Sequence, residues 1–281
     1  MRYIEVFEKY VKALNEKGFK DAGSDVLLLI YEVFDFDFSK WTMFKYDEIK
    51  DREKLDILEG YVSKRLENMP IQYILNKAYF CGFPFFVDKS VLIPRFDTEV
   101  LVEEILRIAK GDKNKKILDM CTGSGAIAIS LKKLGGFERV DAVDISNDAL
   151  EIAKKNAVGL GCDINFSKSD MFSGLTSENK YDIIVSNPPY IKSHMVDSLE
   201  SEVKDFEPRL ALDGDIDGMK FYKIIKENFI KHLNPEGILA LEIGYDEAKD
   251  IRKLFDGFDI NIKKDLSNLD RVAIISEKIY R

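Results

Sequence analysis

Lys116-Ile117-Leu118-Asp119-Met120-Cys121-Thr122-Gly123-Ser124-Gly125 reads as a buried strand that runs directly into a glycine-rich turn and then opens a helix. Gly123 and Gly125 let the backbone come close to a ligand with no side chain in the way. The glycines alone leave a plain strand-to-helix turn as the alternative. The flanking pattern reduces that ambiguity. Beyond Arg95, strands are expected at 116–120, 139–144, 164–168, 181–186, 237–243, 260–265 and 271–275. Helices are expected near 98–110, from about 125, after a Ser146 cap, and near 216–232 and 246–255. Alternation of this kind predicts an α/β fold with a doubly wound, mostly parallel sheet of seven strands.

Toward the N-terminus the period changes. Ile4, Phe7, Val11 and Leu14 recur at helical spacing, as do Leu55, Leu58, Val62 and Leu66. Ser24 or Asp25 is expected to cap a helix through Val26–Tyr31, and Pro70 to end the last helix. Between Tyr79 and Leu92, aromatic and β-branched residues punctuated by Gly82, Pro84 and Asp88 suggest a hairpin. The expected organisation is a small helical bundle domain over 1–76, a β-hairpin linker over 77–93 and an α/β domain over 94–281.

Bulk properties exclude several classes. The 281 residues are 46% hydrophobic, enough to fill two cores. The longest aliphatic run, Val26–Ile30, is too short for a bilayer span, and Glu5 and Glu8 stand where a secretory signal would be apolar. A cytoplasmic protein without membrane contact is expected. Three cysteines (Cys81, Cys121, Cys162) without C-x-x-C spacing argue against disulfides and a zinc site, and two histidines (His194, His232) argue against a metal centre. No metal is expected. A net charge of −8 lacks the basic excess of a duplex DNA binder, so direct nucleic-acid binding is not expected.

The strand after the glycine turn ends at Asp144, 21 residues past Gly123, where a carboxylate can accept from two ribose hydroxyls. The third strand ends at Ser169-Asp170-Met171-Phe172. There Asp170 is suited to accept from an adenine amino group and Met171 to pack on its ring. Ala128 stands where a dinucleotide fingerprint has its last glycine, and no Gly-Lys-Ser/Thr follows the turn. An adenosine ligand without pyrophosphate, such as S-adenosylmethionine, fits best.

The fourth strand, Tyr181–Ser186, runs into Asn187-Pro188-Pro189-Tyr190. Two prolines in series stiffen the loop. A carboxamide nitrogen is a poor nucleophile because its lone pair is delocalised into the carbonyl. To attack a sulfonium methyl it must be held in line by acceptors for its N–H bonds. The Asn187 side-chain oxygen and the Pro188 carbonyl are suited to that role, and Tyr190 to packing on the flat amide.

At these residues the chain resembles the peptide chain release factor glutamine methyltransferases over nearly its whole length. The carriers are Pro70–Leu75, Leu92-Ile93-Pro94-Arg95-Phe96-Asp97-Thr98-Glu99, the Asn-Pro-Pro-Tyr loop, Glu207–Gly214 with Asp217-Gly218, Leu241–Gly244 and Asp270-Arg271-Val272. The resemblance implies a class I S-adenosylmethionine-dependent domain behind a helical domain that helps grip the substrate. The implied substrate is the glutamine of the Gly-Gly-Gln motif in class 1 release factors. It implies cofactor contacts from Cys121, Thr122, Gly123, Ser124, Gly125, Asp144, Met171 and Asn187, and a substrate pocket of Asn187, Pro188, Pro189 and Tyr190. A monomer is expected.

The chain departs from the family pattern at Phe96 (usually proline), Cys121 (glycine), Met171 (often tryptophan), Asp215-Ile216 (Gly-Glu) and Asn76 (glycine). The Arg95 segment also reads as a plain helix entry, with Asp97 or Thr98 as its cap. Two rival functions remain: a nucleic-acid amino methyltransferase clamping a flipped adenine or guanine in the same loop, and a cofactor-binding adaptor without turnover.

Overall fold

The computed structural model describes residues 1–278. The chain forms two compact units, Met1–Lys77 with Ser201–Phe206, and Ala78–Glu200 with the chain from Glu207 onward.

The first unit is helical, with helices Tyr3–Lys17, Ala22–Phe34, Phe38–Phe44, Arg52–Leu66 and Ile71–Leu75. Tyr3–Lys17 buries the i, i+4 row Val6, Tyr10 and Leu14, while Ile4, Phe7 and Val11 flank it half-buried. The row meets Val26, Leu29, Ile30, Leu58 and Val62 in one core. Each such fully buried side chain contributes about 1.5–3 kcal/mol by leaving water. Asp37 and Asp51 cap two of the helices, accepting from Lys40 N at 2.7 Å and Lys54 N at 3.1 Å.

Two expectations fail here. Ser24 and Asp25 cap nothing, because the helix already begins at Ala22. Asp25 instead turns inward and accepts from Arg65 Nε at 2.7 Å, and Arg65 also donates to Glu202 and to the Met69 carbonyl. A buried guanidinium needs acceptors more than an exposed helix end needs a cap. Pro70 does not end the fourth helix, which stops at Leu66; it opens the next turn, Ile71–Leu75, where its φ of −55° already suits a helix start.

The second unit begins with a hairpin, β1 (Ala78–Phe80) against β2 (Phe83–Phe85), whose Phe80 and Phe85 are fully buried. The sheet follows: β3 (Lys116–Met120), β4 (Arg139–Asp144), β5 (Asn165–Lys168), β6 (Tyr181–Ser186), β7 (Leu233–Glu242), β8 (Phe258–Lys264) and β9 (Asp270–Glu277). Their spatial order is β5-β4-β3-β6-β7-β9-β8, and β9 alone runs antiparallel to the other six strands. The seven-stranded α/β expectation therefore holds. Successive strand residues serve opposite cores: Ile117, Ile183 and Val185 pack with helices Glu99–Ala109 and Ala126–Gly135, whereas Leu118 and Ile184 pack with Lys220–Asn228 and Ala248–Leu254. The order reverses between β3 and its two neighbours, which opens a crevice at the strand carboxyl ends.

Two boundaries move. The helix expected from 216 starts at Lys220, because Asp215 and Gly218 adopt left-handed φ values of 77° and 75° and break the preceding turn. Strand β7 begins at Leu233, and a register shift opposite Tyr181/Ile183 lets it bend before Ile238. Among the described residues no helix is long and apolar enough to cross a membrane.

Asp25→Ala should leave Arg65 with only half of its charge compensation. Urea unfolding should show a loss of about 3 kcal/mol, the low end for breaking a buried pair, because Glu202 remains.

Candidate functional site

The turn Cys121–Gly125 is fastened from below. Thr122 N donates to the Val143 carbonyl at 3.1 Å and Gly125 N to the Thr122 carbonyl at 2.9 Å. Beneath them Asp119, fully buried, accepts from Thr122 Oγ1 at 2.6 Å and Ala128 N at 3.1 Å. Its other oxygen, Oδ1, has no partner among the described residues. Burial pushes this carboxyl up to about 7, against the pull of the two donors. Sequence reasoning passed over Asp119; the available signal was an acid inside an otherwise apolar strand, two residues before the turn.

Gly123 has φ +55°, and a Cβ there would meet open space, so the turn leaves a bare cradle. Gly125 serves packing: a Cβ would press on Ile129 at 3.0 Å and Ala153 at 3.2 Å. Asp144, at the end of β4, accepts from Gly123 N and Ser146 N, both at 2.9 Å. Burial raises its pKa while these amides stabilise its charge. Cys121 and Met171 both hold left-handed backbone, φ +58° and +50°, and their sulfurs lie 3.8 Å apart.

The Asn187 loop leaves the end of β6 beside this turn. Ser186 Oγ donates to the Met120 carbonyl at 2.8 Å and ties the two strand ends together. Asn187 Nδ2 donates to Thr98 Oγ1 at 3.3 Å, and its Oδ1 has no partner among the described residues. Thr98 therefore does not cap the helix that follows it; its hydroxyl is engaged with Asn187. Pro188 and Pro189 are buried. Tyr190 donates to Glu242 Oε1 at 3.1 Å, and burial followed by the Glu242 charge raises its pKa.

The segment after the loop is zipped onto it. Ile191 N donates to the Leu212 carbonyl at 3.0 Å and Gly214 N to the Ile191 carbonyl at 2.8 Å. A Cβ on Gly214 would lie 2.7 Å from Tyr190 Cα, so only glycine lets these backbones meet. Glu207, buried, clasps Arg95 and accepts from Ile93 N at 3.2 Å.

A cavity of about 310 Å³ lies at these strand ends, within the usual range of small-molecule sites. Of the residues singled out in the sequence, Cys121, Thr122, Gly123, Ser124, Asp144, Asp170, Met171, Asn187 and Pro189 line it. Gly125, Pro188 and Tyr190 are not among the lining residues. Thr98, Arg95, Pro208, Leu210 and Phe221 line it too, and only Arg95 and Thr98 of these drew separate comment from sequence. His232 stacks on Phe172 at 5.1 Å and contacts the Asn179 carbonyl, a packing role outside the cavity.

Residues 95–215 match the family model described as Methyltransferase small domain, and residues 5–75 match the PrmC N-terminal domain. The chain is similar to the Release factor glutamine methyltransferase of Clostridium acetobutylicum, at 41% identity covering 76% of this chain and 77% of that one. It is similar to the protein of the same name from Fusobacterium nucleatum, at 35% identity covering 98% and 79%. Among solved structures, the T. thermophilus 16S rRNA N2 G1207 methyltransferase in complex with AdoMet and guanosine matches with a TM-score of 0.51 at 17% identity, covering 72% of this chain and 50% of that one. That last likeness concerns the fold.

Asp119 makes a prediction about pH. Its folded pKa is raised, so its contribution to stability is fully present below the ordinary carboxylate range. It declines as pH rises toward about 7 and is level above that. The slope is at most about 1.4 kcal/mol per pH unit. Asp119→Asn can keep both accepted hydrogen bonds and should flatten this part of the curve, as read by urea unfolding at pH 5 and pH 7.5.

Proposed function

The chain belongs to the release factor glutamine methyltransferase family, and on that premise we propose that it methylates the side-chain amide nitrogen of the glutamine in the Gly-Gly-Gln motif of class 1 peptide chain release factors, with S-adenosylmethionine as donor. The observation that carries the reading is the free Asn187 Oδ1 at a cavity shared with the glycine turn.

The residues present fit the donor. Gly123 offers a cradle that no side chain fills, Asp144 has lone pairs left for ribose hydroxyls, and Met171 and Asp170 line the same cavity for an adenine. Cys121, Thr122 and Ser124 complete that wall. Gly125 would act indirectly, by opening the helix at the turn's end. Bound there, S-adenosylmethionine supplies a methyl carbon made electrophilic by its sulfonium.

The chain's own work is to hold the acceptor. Asn187 Oδ1 accepts one N–H of the incoming carboxamide, and the Pro188 carbonyl is proposed to accept the other. Together they aim the nitrogen lone pair and stabilise positive charge as it develops. No base is needed before transfer, because the proton leaves once the nitrogen carries the methyl. Pro189 borders the cavity, and the Tyr190 hydroxyl is bound to Glu242, so Tyr190 stiffens the loop more than it offers a free polar group. The helical unit, matched by the PrmC N-terminal domain model, is proposed to grip the release factor. A monomeric, cytoplasmic enzyme is part of the same reading.

The family likeness favours a protein glutamine over a nucleic-acid base as acceptor. The test is mass spectrometry of a release factor after incubation with enzyme and donor, expected to find one added methyl on the motif glutamine. Label appearing on nucleic acid instead, in a parallel incubation, would favour the rival. Asn187→Ala should lower transfer by about 10²–10³-fold, the usual loss for one preorganised polar contact, with a smaller loss of donor binding by calorimetry. Unchanged turnover would remove Asn187 from its assigned role.

A further inference from the structure

A single buried carboxamide joins the glycine turn to the chain that leaves the hairpin. Asn156 lies on helix Asn147–Gly159 and is 4% exposed. Its side chain makes three hydrogen bonds, all to backbone. Oδ1 accepts from Phe86 N at 2.7 Å. Nδ2 donates to the Phe86 carbonyl at 3.0 Å and to the Ser124 carbonyl at 2.9 Å. With Phe86 it exchanges a donor for an acceptor, as a paired strand residue would. Its remaining N–H goes to the turn.

The bond to Ser124 stands in for one that a regular helix would make. Ala128 N lies four residues after the Ser124 carbonyl, the i to i−4 pairing of an α-helix. Ala128 N instead donates to Asp119 Oδ2 at 3.1 Å, while the next pair, Ile129 N to the Gly125 carbonyl, closes at 2.9 Å. The Ser124 carbonyl is thereby left to Asn156. A buried carbonyl needs a donor, so the turn stands off its own helix only because a side chain of another helix meets it. The same helix face serves the crevice along its length. Ser146, Ala149, Ala153 and Asn156 recur at three- and four-residue spacing. Ser146 and Ala149 line the cavity, and Ala153 fills the space that a Cβ on Gly125 would need. Phe86 in turn leads into Ser90, Val91, Leu92 and Pro94, which line the same cavity.

We infer that Asn156 is a positioning residue for the donor: by binding Ser124 and Phe86 at once, it holds the glycine turn at a fixed distance from the segment that carries Ser90–Pro94, and so sets the width of the cleft for S-adenosylmethionine. This rests on the reading of the cavity as the donor's site. Without the carboxamide, the Ser124 carbonyl must turn to Ala128 N or to water, and the turn shifts with it. The Asn187 loop has its own tie to the sheet through Ser186, so the grip on the acceptor glutamine is spared.

The test compares N156A, N156D and a control, I105V, in the full chain. Ile105 is fully buried in the same core, on helix Glu99–Ala109. N156D keeps the shape of asparagine and the acceptor for Phe86 N, but it sets an oxygen against the Ser124 and Phe86 carbonyls. By calorimetry, N156A should bind S-adenosylmethionine about tenfold more weakly than wild type, equivalent to about 1.4 kcal/mol. N156D should bind it no better than N156A. In the methylation assay KM for the donor should rise in step, while KM for the release factor at saturating donor changes by less than about twofold. I105V should melt below wild type yet bind the donor within about twofold of it, which separates a placed turn from a merely stable core. Wild-type donor affinity in N156A or N156D, a loss confined to KM for the release factor, or an equal loss in I105V would each overturn the inference. If one Asn156 variant fails to fold, the other against I105V decides. Wild-type protein in the same calorimeter separates the two claims: no uptake of S-adenosylmethionine by wild type sinks both, whereas equal uptake by wild type and N156A sinks only this one.

Discussion

The parallel register of β3 and β6 is the constraint from which the site follows. Met120 lies opposite Ser186, and the Ser186 hydroxyl closes onto the Met120 carbonyl at 2.8 Å. That pairing brings the glycine turn and the Asn187 loop off the sheet at one level. A slip of one residue would exchange the faces of every side chain on β6, sending Ile183 and Val185 to the opposite core. The two separate cores on either side of the sheet, each claiming alternate residues, make that slip expensive and so hold the reacting groups in place.

Backbone shape sets what these loops require, and side chains accommodate it. Three positions where family members carry glycine, Asn76, Cys121 and Asp215, all hold left-handed φ values here, 50°, 58° and 77°. Asn and Asp tolerate that region by local hydrogen bonding; Asp215 Oδ1 does so by accepting from Ile216 N at 2.8 Å. Cys121 has no such relief beyond its contact with Met171, and strain of about 1–2 kcal/mol is concentrated at the cavity wall.

Much of this was legible in the sequence. The strand Lys116–Met120 and the strand Tyr181–Ser186 have the bounds that their β-branched and apolar runs imply, because strands buried on both faces leave little latitude. Ser146 caps its helix as a serine before an exposed turn should. What escaped reading was decided by partners distant in sequence. Asp25 looked like a cap until Arg65, 40 residues on, claimed it. Thr98 suited the same role until Asn187, 89 residues on, engaged its hydroxyl. Asp119 and Glu242 sit among apolar neighbours, where an acid carries no local pattern to mark its purpose.

The clasp of Glu207 on Ile93 and Arg95, and the zipping of Leu212 and Gly214 onto Ile191, have a consequence for how the molecule comes into being. Glu207 closes a loop of 114 residues to reach Ile93, and closure entropy of that size is met only when many contacts form together. A ribosome-bound chain that ends before Glu207 already contains the glycine turn and the Asn-Pro-Pro-Tyr loop, with the Thr122–Val143 and Ser186–Met120 bonds that join them to the sheet, but it lacks the Glu207 clasp and the Leu212–Gly214 zipper. The full bracing of the Asn187 loop therefore waits for the last third of the polypeptide.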